Sequence, residues 1–574
     1  MILLFHNFLH FAKLLNKKYG THTESRILHL HKIFYSAKMT GRRLLPKIGM
    51  RYKVLYILAF LLCANSLFLQ IESPIITIGD KWYASIILLL LFLIANSTFS
   101  MSSFSWSLNK LLPSFYIIVL LSDVVLAMHG ILQYTHIIPF HSYLGLSGSF
   151  DNPAGYAASL CAGFPAVFYI YMHYCSKLIR GSVILAGLCV IIVVVLSGSR
   201  TGILSIAVMC IVCFLQKTEI GSRKKYLLLL LLLFPVFVTL LYFFKKDSAD
   251  GRLLIWKCSA LMIKDNPVTG YGSGGFLANY MNYQAEYFAR DTDNKYAMLA
   301  GDVKHPFNEY ILLVVNYGLI GFLLFLTFVY FLWKCYRRNS CLETNIATVC
   351  LIGIAVFACF SYPLSYPFVW VMMIYSIYVI IFHAGYIAKY PQWLRRSMCL
   401  LIIGLSLAAF IYITRHILYT TAWNRTAKFS LIKQTDMTFA RYNELLPKLG
   451  DNYLFLYNYA AELNYGKYYN QSQEMAEQCS ELWADYNLQL LMADNCINTT
   501  QYDNAEKHLK LASLMCPARF VPLYELMKLY QLKGEEKKTI QIAEIILKKK
   551  VKVPSSKVEW IKEKAKNSVK SVIH

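Results

Sequence analysis

Between residues 54 and 414 the chain returns again and again to apolar runs of about 18 residues that are almost free of charge, and in lipid such a run satisfies its backbone as an α-helix. The runs fall near 54–71, 82–99, 112–134, 153–174, 181–197, 201–215, 226–244, 307–333, 345–362, 367–388 and 397–414. They predict about eleven transmembrane helices. With 57% hydrophobic and only 16% charged residues, the composition is far from that of a soluble globular chain. The expectation is an all-α, polytopic membrane bundle.

Lysine and arginine set the orientation, because connections rich in them stay on the cytoplasmic side. Arg42, Arg43, Lys47, Arg51 and Lys53 precede the first run, and alternate connections hold Lys177 and Arg180, then Lys217, Arg223, Lys224 and Lys225, then Lys334, Arg337 and Arg338, then Lys389, Arg395 and Arg396. This predicts a cytoplasmic N-terminus and places the connections 135–152, 197–201, 245–306 and 361–366 outside, together with the C-terminal region. Lys245 and Lys246 run against the pattern. The net charge of +25 is uneven: residues 1–53 hold eleven Lys/Arg and one Glu, and the position of this basic arm beside a membrane span predicts contact with anionic lipid headgroups and not with nucleic acid. Met39 and Met50 stand as alternative starts. Of the fifteen cysteines, eleven lie in or beside apolar runs and read as packing residues; a pairing among Cys479, Cys496 and Cys516 is left open.

Two stretches interrupt the apolar pattern. The connection 245–306 is rich in Tyr, Asn, Asp and Gly, and loops of this length usually carry function. The region 416–574 has soluble composition and helical periodicity, and "YNQSQEMAEQC" from Tyr469, "YDNAEKHLKLA" from Tyr502 and "EKKTIQIAEII" from Glu536 form a weak repeat that looks tetratricopeptide-like. Such stacks offer a concave surface to a protein partner, or simply cap the loop. The domain reading is thus an arm over 1–50, a membrane domain over 51–415 and a helical domain over 416–574.

Arg200 stands between two apolar runs in "LSGSRTGILSI". Gly198, Ser199, Thr201 and Gly202 around it make a small, polar helix start whose N–H groups suit an anion, and a guanidinium grips phosphate bidentately. A second external arginine, Arg252, opens an amphipathic segment ending at Pro267 in "GRLLIWKCSALMIKDNPVTGYGSGGF"; glycines 270, 272, 274 and 275 beyond it predict a loop able to approach a ligand closely. The loop closes on "KHPFNEYILLVVNYGLIGF". There His305 has the titration range of a general base, and Asn308 and Glu309 would share its face on a helix. Glu309 is the other candidate base. Lys304, Asn152 in "GSFDNPAGYAASL" and Tyr362 in "SYPLSYP" are candidate accessory residues, the last two also readable as ordinary loop or helix-start chemistry.

In order and setting, these pieces resemble the O-antigen ligase and polymerase superfamily, which includes bacterial O-oligosaccharyltransferases, over about residues 55–415. The resemblance implies a GT-C-like, inverting, metal-independent glycosyltransferase of the bacterial inner membrane that needs no cofactor. Its donor would be a glycan on a polyprenyl (undecaprenyl) diphosphate, moved en bloc at the periplasmic face to a lipid A-core acceptor; polymerase and protein O-oligosaccharyltransferase activities are the alternatives. By position, Arg200 and Arg252 correspond to the family's diphosphate-binding arginines and His305 to its catalytic histidine. In many members that histidine directly precedes the asparagine, whereas here Pro306 and Phe307 intervene. A transporter or flippase for lipid-linked glycans is the alternative from another class; it would want ionisable residues at mid-membrane, of which Asp123 is the clearest.

Overall fold

The computed structural model describes residues 50–68, 79–102, 108–139, 145–217, 239, 246–290, 295–386, 390–432 and 436–573. The chain divides into two compact units, Met1–Ile57 and Leu58–His574. In the first, the described residues 50–57 are helical; the basic arm before them lies outside the described residues. Apart from the first residues of α1, everything below concerns the second unit.

The described residues form helices and no strand. In chain order these are α1 Met50–Phe68, α2 Gly79–Ser102, α3 Leu108–Tyr134, α4 Pro153–Gly163, α5 Pro165–His173, α6 Lys177–Leu196, α7 Arg200–Lys217, α8 Lys246–Asp265, α9 Gly275–Arg290, α10 Glu309–Arg338, α11 Leu342–Ala358, α12 Pro367–His383 and α13 Gln392–Ile432. The C-terminal region adds α14 Asp436–Leu449, α15 Tyr453–Tyr465, α16 Tyr469–Leu482, α17 Tyr486–Asn498, α18 Tyr502–Met515, α19 Val521–Leu532, α20 Glu536–Lys548 and α21 Ser556–Ile573. Among the described residues seven helices are long and apolar enough to cross a membrane: Trp82–Phe99, Pro113–Tyr134, Pro153–His173, Lys177–Leu196, Arg200–Lys217, Glu309–Arg338 and Gln392–Ser430. Shorter apolar helices cover Lys53–Phe68, Leu342–Ala358 and Pro367–His383. The expected span 226–244 lies outside the described residues except for Thr239.

Small residues let the bundle close around α4, which is buried along most of its length. The hydroxyl of Ser205 on α7 donates to the Gly353 carbonyl of α11 at 2.8 Å. A Cβ at Gly353 would meet the Met209 sulfur at 2.4 Å, so α7 and α11 approach as closely as glycine permits. Near the start of α4, Gln133 pins the preceding loop by exchanging hydrogen bonds with both backbone groups of Gly148, each 2.8 Å. Asn152 then caps the helix, accepting from the Gly155 N–H at 2.8 Å, with Pro153 supplying the preset first turn.

The glycine-rich stretch after Pro267 has a different job from the one its composition suggests. Gly270, Gly272 and Gly274 have positive φ, and the loop they shape lies against a break in α10, where Gly318 is non-helical at φ 60°, ψ −159°. Tyr271 and Gly272 donate to the carbonyls of Val315 and Asn316 at 3.0 and 2.8 Å, and Leu319 and Ile320 donate to Pro267 and Val268 at 2.9 and 3.2 Å. Backbone groups freed by the break are thus satisfied by the loop, as a broken helix requires. A Cβ on Gly270 would sit 2.6 Å from the Asn316 carbonyl, and one on Gly318 2.2 Å from the Val268 oxygen. These two glycines serve a backbone-to-backbone approach, not a ligand.

Helix α13 runs unbroken through the 415/416 boundary read from composition. The segments from Tyr469, Tyr502 and Glu536 are α16, α18 and α20, each preceded by an adjacent packed helix. Helices α9, α17 and α18 share one apolar core, in which Phe276, Tyr280 and Phe288 meet Tyr486, Ala512 and Met515. The buried Gln284 amide joins these parts, donating to the carbonyls of Met515 and Gly301 at 2.6 and 3.0 Å. Cys479, Cys496 and Cys516 are free thiols buried in three separate clusters.

Candidate active site

The start of α10 lies beside the end of α11. Asn308 caps α10, accepting from the Tyr310 and Ile311 N–H groups at 2.9 and 3.0 Å, while its own amide donates to the Cys359 carbonyl at 2.8 Å. The Tyr310 hydroxyl donates to Ala355 at 3.0 Å. Because α10 begins only at Glu309, His305 stands outside it, and the expected helical face shared by His305, Asn308 and Glu309 does not form. Asn308 is occupied with capping.

His305 is placed instead by its neighbours in "HPFNE". Phe307 adopts φ 55°, a left-handed conformation uncommon for a bulky side chain, and this reversal points two rings at Tyr362. His305 stacks on the Tyr362 ring with centroids 4.9 Å apart and planes 14° apart, and Phe307 meets it edge-on at 5.3 Å. Burial first, and the charge of Lys304 second, hold the imidazole below its ordinary range, favouring the neutral form that accepts a proton. Lys304 itself turns toward the C-terminal region, with its ammonium 5.2 Å above the Trp483 ring.

Helix α8 clamps the same segment from the other side. Its ends suit the helix dipole, with Asp247 in the first turn and Lys264 in the last. Arg252 and Trp256, one turn apart, share a face. The Trp256 indole donates to the Pro306 carbonyl at 2.9 Å, and the Arg252 guanidinium lies 5.5 Å over the Phe307 ring. Arg252 is pushed down to about 10, mainly by burial and then by the charge of Arg200, with Tyr362 opposing the shift. Arg200 is therefore close enough to act on Arg252. It opens α7 behind Ser199, whose hydroxyl accepts from the Gly202 N–H at 3.2 Å. Two like charges held near each other destabilise one another until an anion joins them.

The remaining candidates frame this cluster. Glu309 accepts from the Leu364 N–H at 3.0 Å, within the turn Pro363–Ser365, leaving its other oxygen for a second partner. The Tyr366 hydroxyl and the Asn152 side chain bond at 3.0 to 3.1 Å, and Tyr366 stacks on Tyr362 at 6.0 Å. Asn152 therefore supports the tyrosine pair. A Cβ at Gly155 would meet the Tyr366 ring at 2.3 Å, which explains the glycine one turn into α4. Phe307, Trp256 and Trp483 are the contributors that sequence reasoning passed over. Aromatic residues are common throughout such chains, and only the positive φ and the packing single these out.

The structure thus brings Arg252, His305 and Tyr362 into one cluster, with Arg200 in electrostatic reach and Glu309 on the adjoining turn. Such a cluster can hold an anion and receive a proton beside it. No curated protein matches the chain at a significant level. Residues 185–326 match the model of the O-antigen ligase family, a stretch that runs from α6 to within α10 and takes in Arg200, Arg252, His305 and Glu309. That match supports the O-antigen ligase superfamily for this part of the chain.

Proposed function

We propose that this chain moves a glycan en bloc from a polyprenyl diphosphate carrier to an acceptor hydroxyl at the periplasmic face of a bacterial inner membrane, as an O-antigen ligase with a lipid A-core acceptor. The observation that carries this reading is the seating of Arg252 and Trp256, on one face of α8, against Phe307 and Pro306 of the His305 segment, with the charge of Arg200 on α7 felt at Arg252. In the proposed step the two guanidiniums bind the diphosphate and stabilise the charge that grows on it. His305 accepts the acceptor's hydroxyl proton as the new C–O bond forms at the anomeric carbon. The bond from that carbon to the carrier phosphate breaks, the electron pair leaves with the diphosphate, and the configuration inverts. Glu309 is the alternative base, and metal-independence belongs to the same proposal.

The test uses purified full-length protein in lipid with a defined glycan on undecaprenyl diphosphate, and lipid A-core, a second lipid-linked glycan or a protein hydroxyl as acceptor. Arg200→Ala and Arg252→Ala are each expected to lower transfer on the order of 10²-fold or more, with unchanged detergent behaviour. Wild-type transfer in both variants would sink the assignment. Product on the second glycan or on protein alone would reassign the chain to polymerase or protein transfer.

A further inference from the structure

A second cluster of chemistry-bearing side chains lies at the opposite end of the bundle. The N-cap and first turn of α11 and the last residue of α12 bring Cys341, Glu343 and His383 together, with one ligand atom from each within 4.8 Å of the others. We propose that this triad binds one zinc-class divalent transition-metal ion, with water in the fourth position, and so staples the start of α11 to the end of α12.

Ligand type, spacing and support all favour this. Thiolate, imidazole and carboxylate together suit zinc and its neighbours, whereas magnesium and calcium take oxygen ligands. Ligand atoms at about 2.0–2.3 Å from a tetrahedral zinc stand roughly 3.3–3.8 Å apart, so partly buried side chains need close by only about 1 Å. The His383 ring is already oriented: Nδ1 lies 2.9 Å from the Val379 carbonyl. A proton on Nδ1 leaves the Nε2 lone pair for the metal, the usual arrangement of a supported histidine ligand. The backbone around the other ligands is preset as well. Asn339 donates to the His383 carbonyl at 3.0 Å, and the Thr344 hydroxyl accepts from the Cys341 N–H at 2.9 Å and donates to the Asn339 carbonyl at 3.1 Å. Cys341 immediately precedes the first turn of α11. At the end of α10, Arg337 rests on the Trp333 ring and Arg338 on the Tyr386 ring.

This site is distinct from the arginine and histidine cluster. Gln216, at the far end of α7 from Arg200, donates to the Asn345 carbonyl at 3.4 Å, and sixteen residues of helix correspond to about 24 Å. The proposed ion therefore has a structural role. It would fix the crossing of α11 and α12, whose other ends lead to Cys359 and Tyr366 beside the cluster.

The experiment takes the full chain in detergent, strips it with a chelator, and titrates it with Co²⁺ and then Zn²⁺. One equivalent of Co²⁺ should give a thiolate-to-metal charge-transfer band that Zn²⁺ displaces, and Zn²⁺ should raise Tm. Cys341→Ser should abolish the band, and His383→Gln and Glu343→Gln should each weaken Zn²⁺ binding at least 10-fold. If Cys341→Ser does not fold, the two remaining variants decide. Absence of the band, its persistence in Cys341→Ser, or Zn²⁺ affinity unchanged in both other variants would overturn the proposal.

Discussion

Lys304 and His305 are adjacent in sequence, yet their side chains are held by different parts of the protein, the ammonium over Trp483 and the imidazole against Tyr362. The lysine charge helps keep the imidazole below its ordinary value, so removing it should raise the His305 pKa. If neutral His305 is the base, transfer falls as pH drops through that pKa. Lys304→Met should therefore move the acid limb of kcat/KM to higher pH while keeping the aliphatic stem on Trp483. A pH profile that superimposes on wild type would remove His305 from the proposed role. Arg200, Arg252 and His305 could be singled out from sequence because each puts charge or imidazole at the edge of apolar segments. That the histidine would be positioned by ring stacking was not legible, because the decisive torsion belongs to Phe307 and neither residue type nor spacing reveals a left-handed backbone.

At the level of helices and loops, the broken α10 shows how a motif misleads when its partner is distant. Gly270, Gly272, Gly274 and Gly275 read as a loop able to approach a ligand closely, and Gly318 stands among the apolar residues of a predicted span. In the fold, Gly270 and Gly318 face one another's backbones. Gly318→Ala should cost roughly 1–3 kcal/mol in backbone strain, with the clash against the Val268 carbonyl in addition. The expected result is a Tm several degrees lower in detergent and faster proteolysis after Lys264; an unchanged Tm would show that the loop yields freely. Helix boundaries were easier to read. Pro153, Pro367 and Asn152 mark helix starts by local chemistry alone, whereas the cap at Asn308 falls where the sequence predicts helix interior.

The largest departure from a domain-by-domain reading is the core that the C-terminal helices share with α9. Gln284 is its polar link, and Gln284→Ala would strand the buried carbonyl of Met515 and the partly buried carbonyl of Gly301. Leaving each such group unsatisfied costs about 1–3 kcal/mol. Limited proteolysis should then cut the α9–α10 connection more readily than in wild type. Asp485 adds a pH dependence to the same interface. One oxygen caps α17 through the N–H groups of Asn487 and Leu488, and the other is buried without a hydrogen bond. Burial and the charge of Asp302 raise its pKa. The folded form thus holds this proton more tightly than the unfolded chain, so its contribution to stability is greatest at low pH and falls as pH rises through the mildly acidic range. Asp485→Asn keeps the cap and should flatten that fall in Tm against pH; parallel wild-type and variant curves would exclude the effect.

By itself the sequence determined the helical class, the placement of most apolar spans and the polar residues that stand out against them, because apolar length, charge and capping chemistry act within a few residues of where they occur. Tertiary structure alone decided which of those residues meet. The Arg200–Arg252 coupling, the stack of His305 on Tyr362, the loop seated in the break at Gly318 and the shared core of loop and tail all join segments far apart in the chain. Packing stabilises the last three and opposes the repulsion in the first, and it exists only after those segments have been brought together.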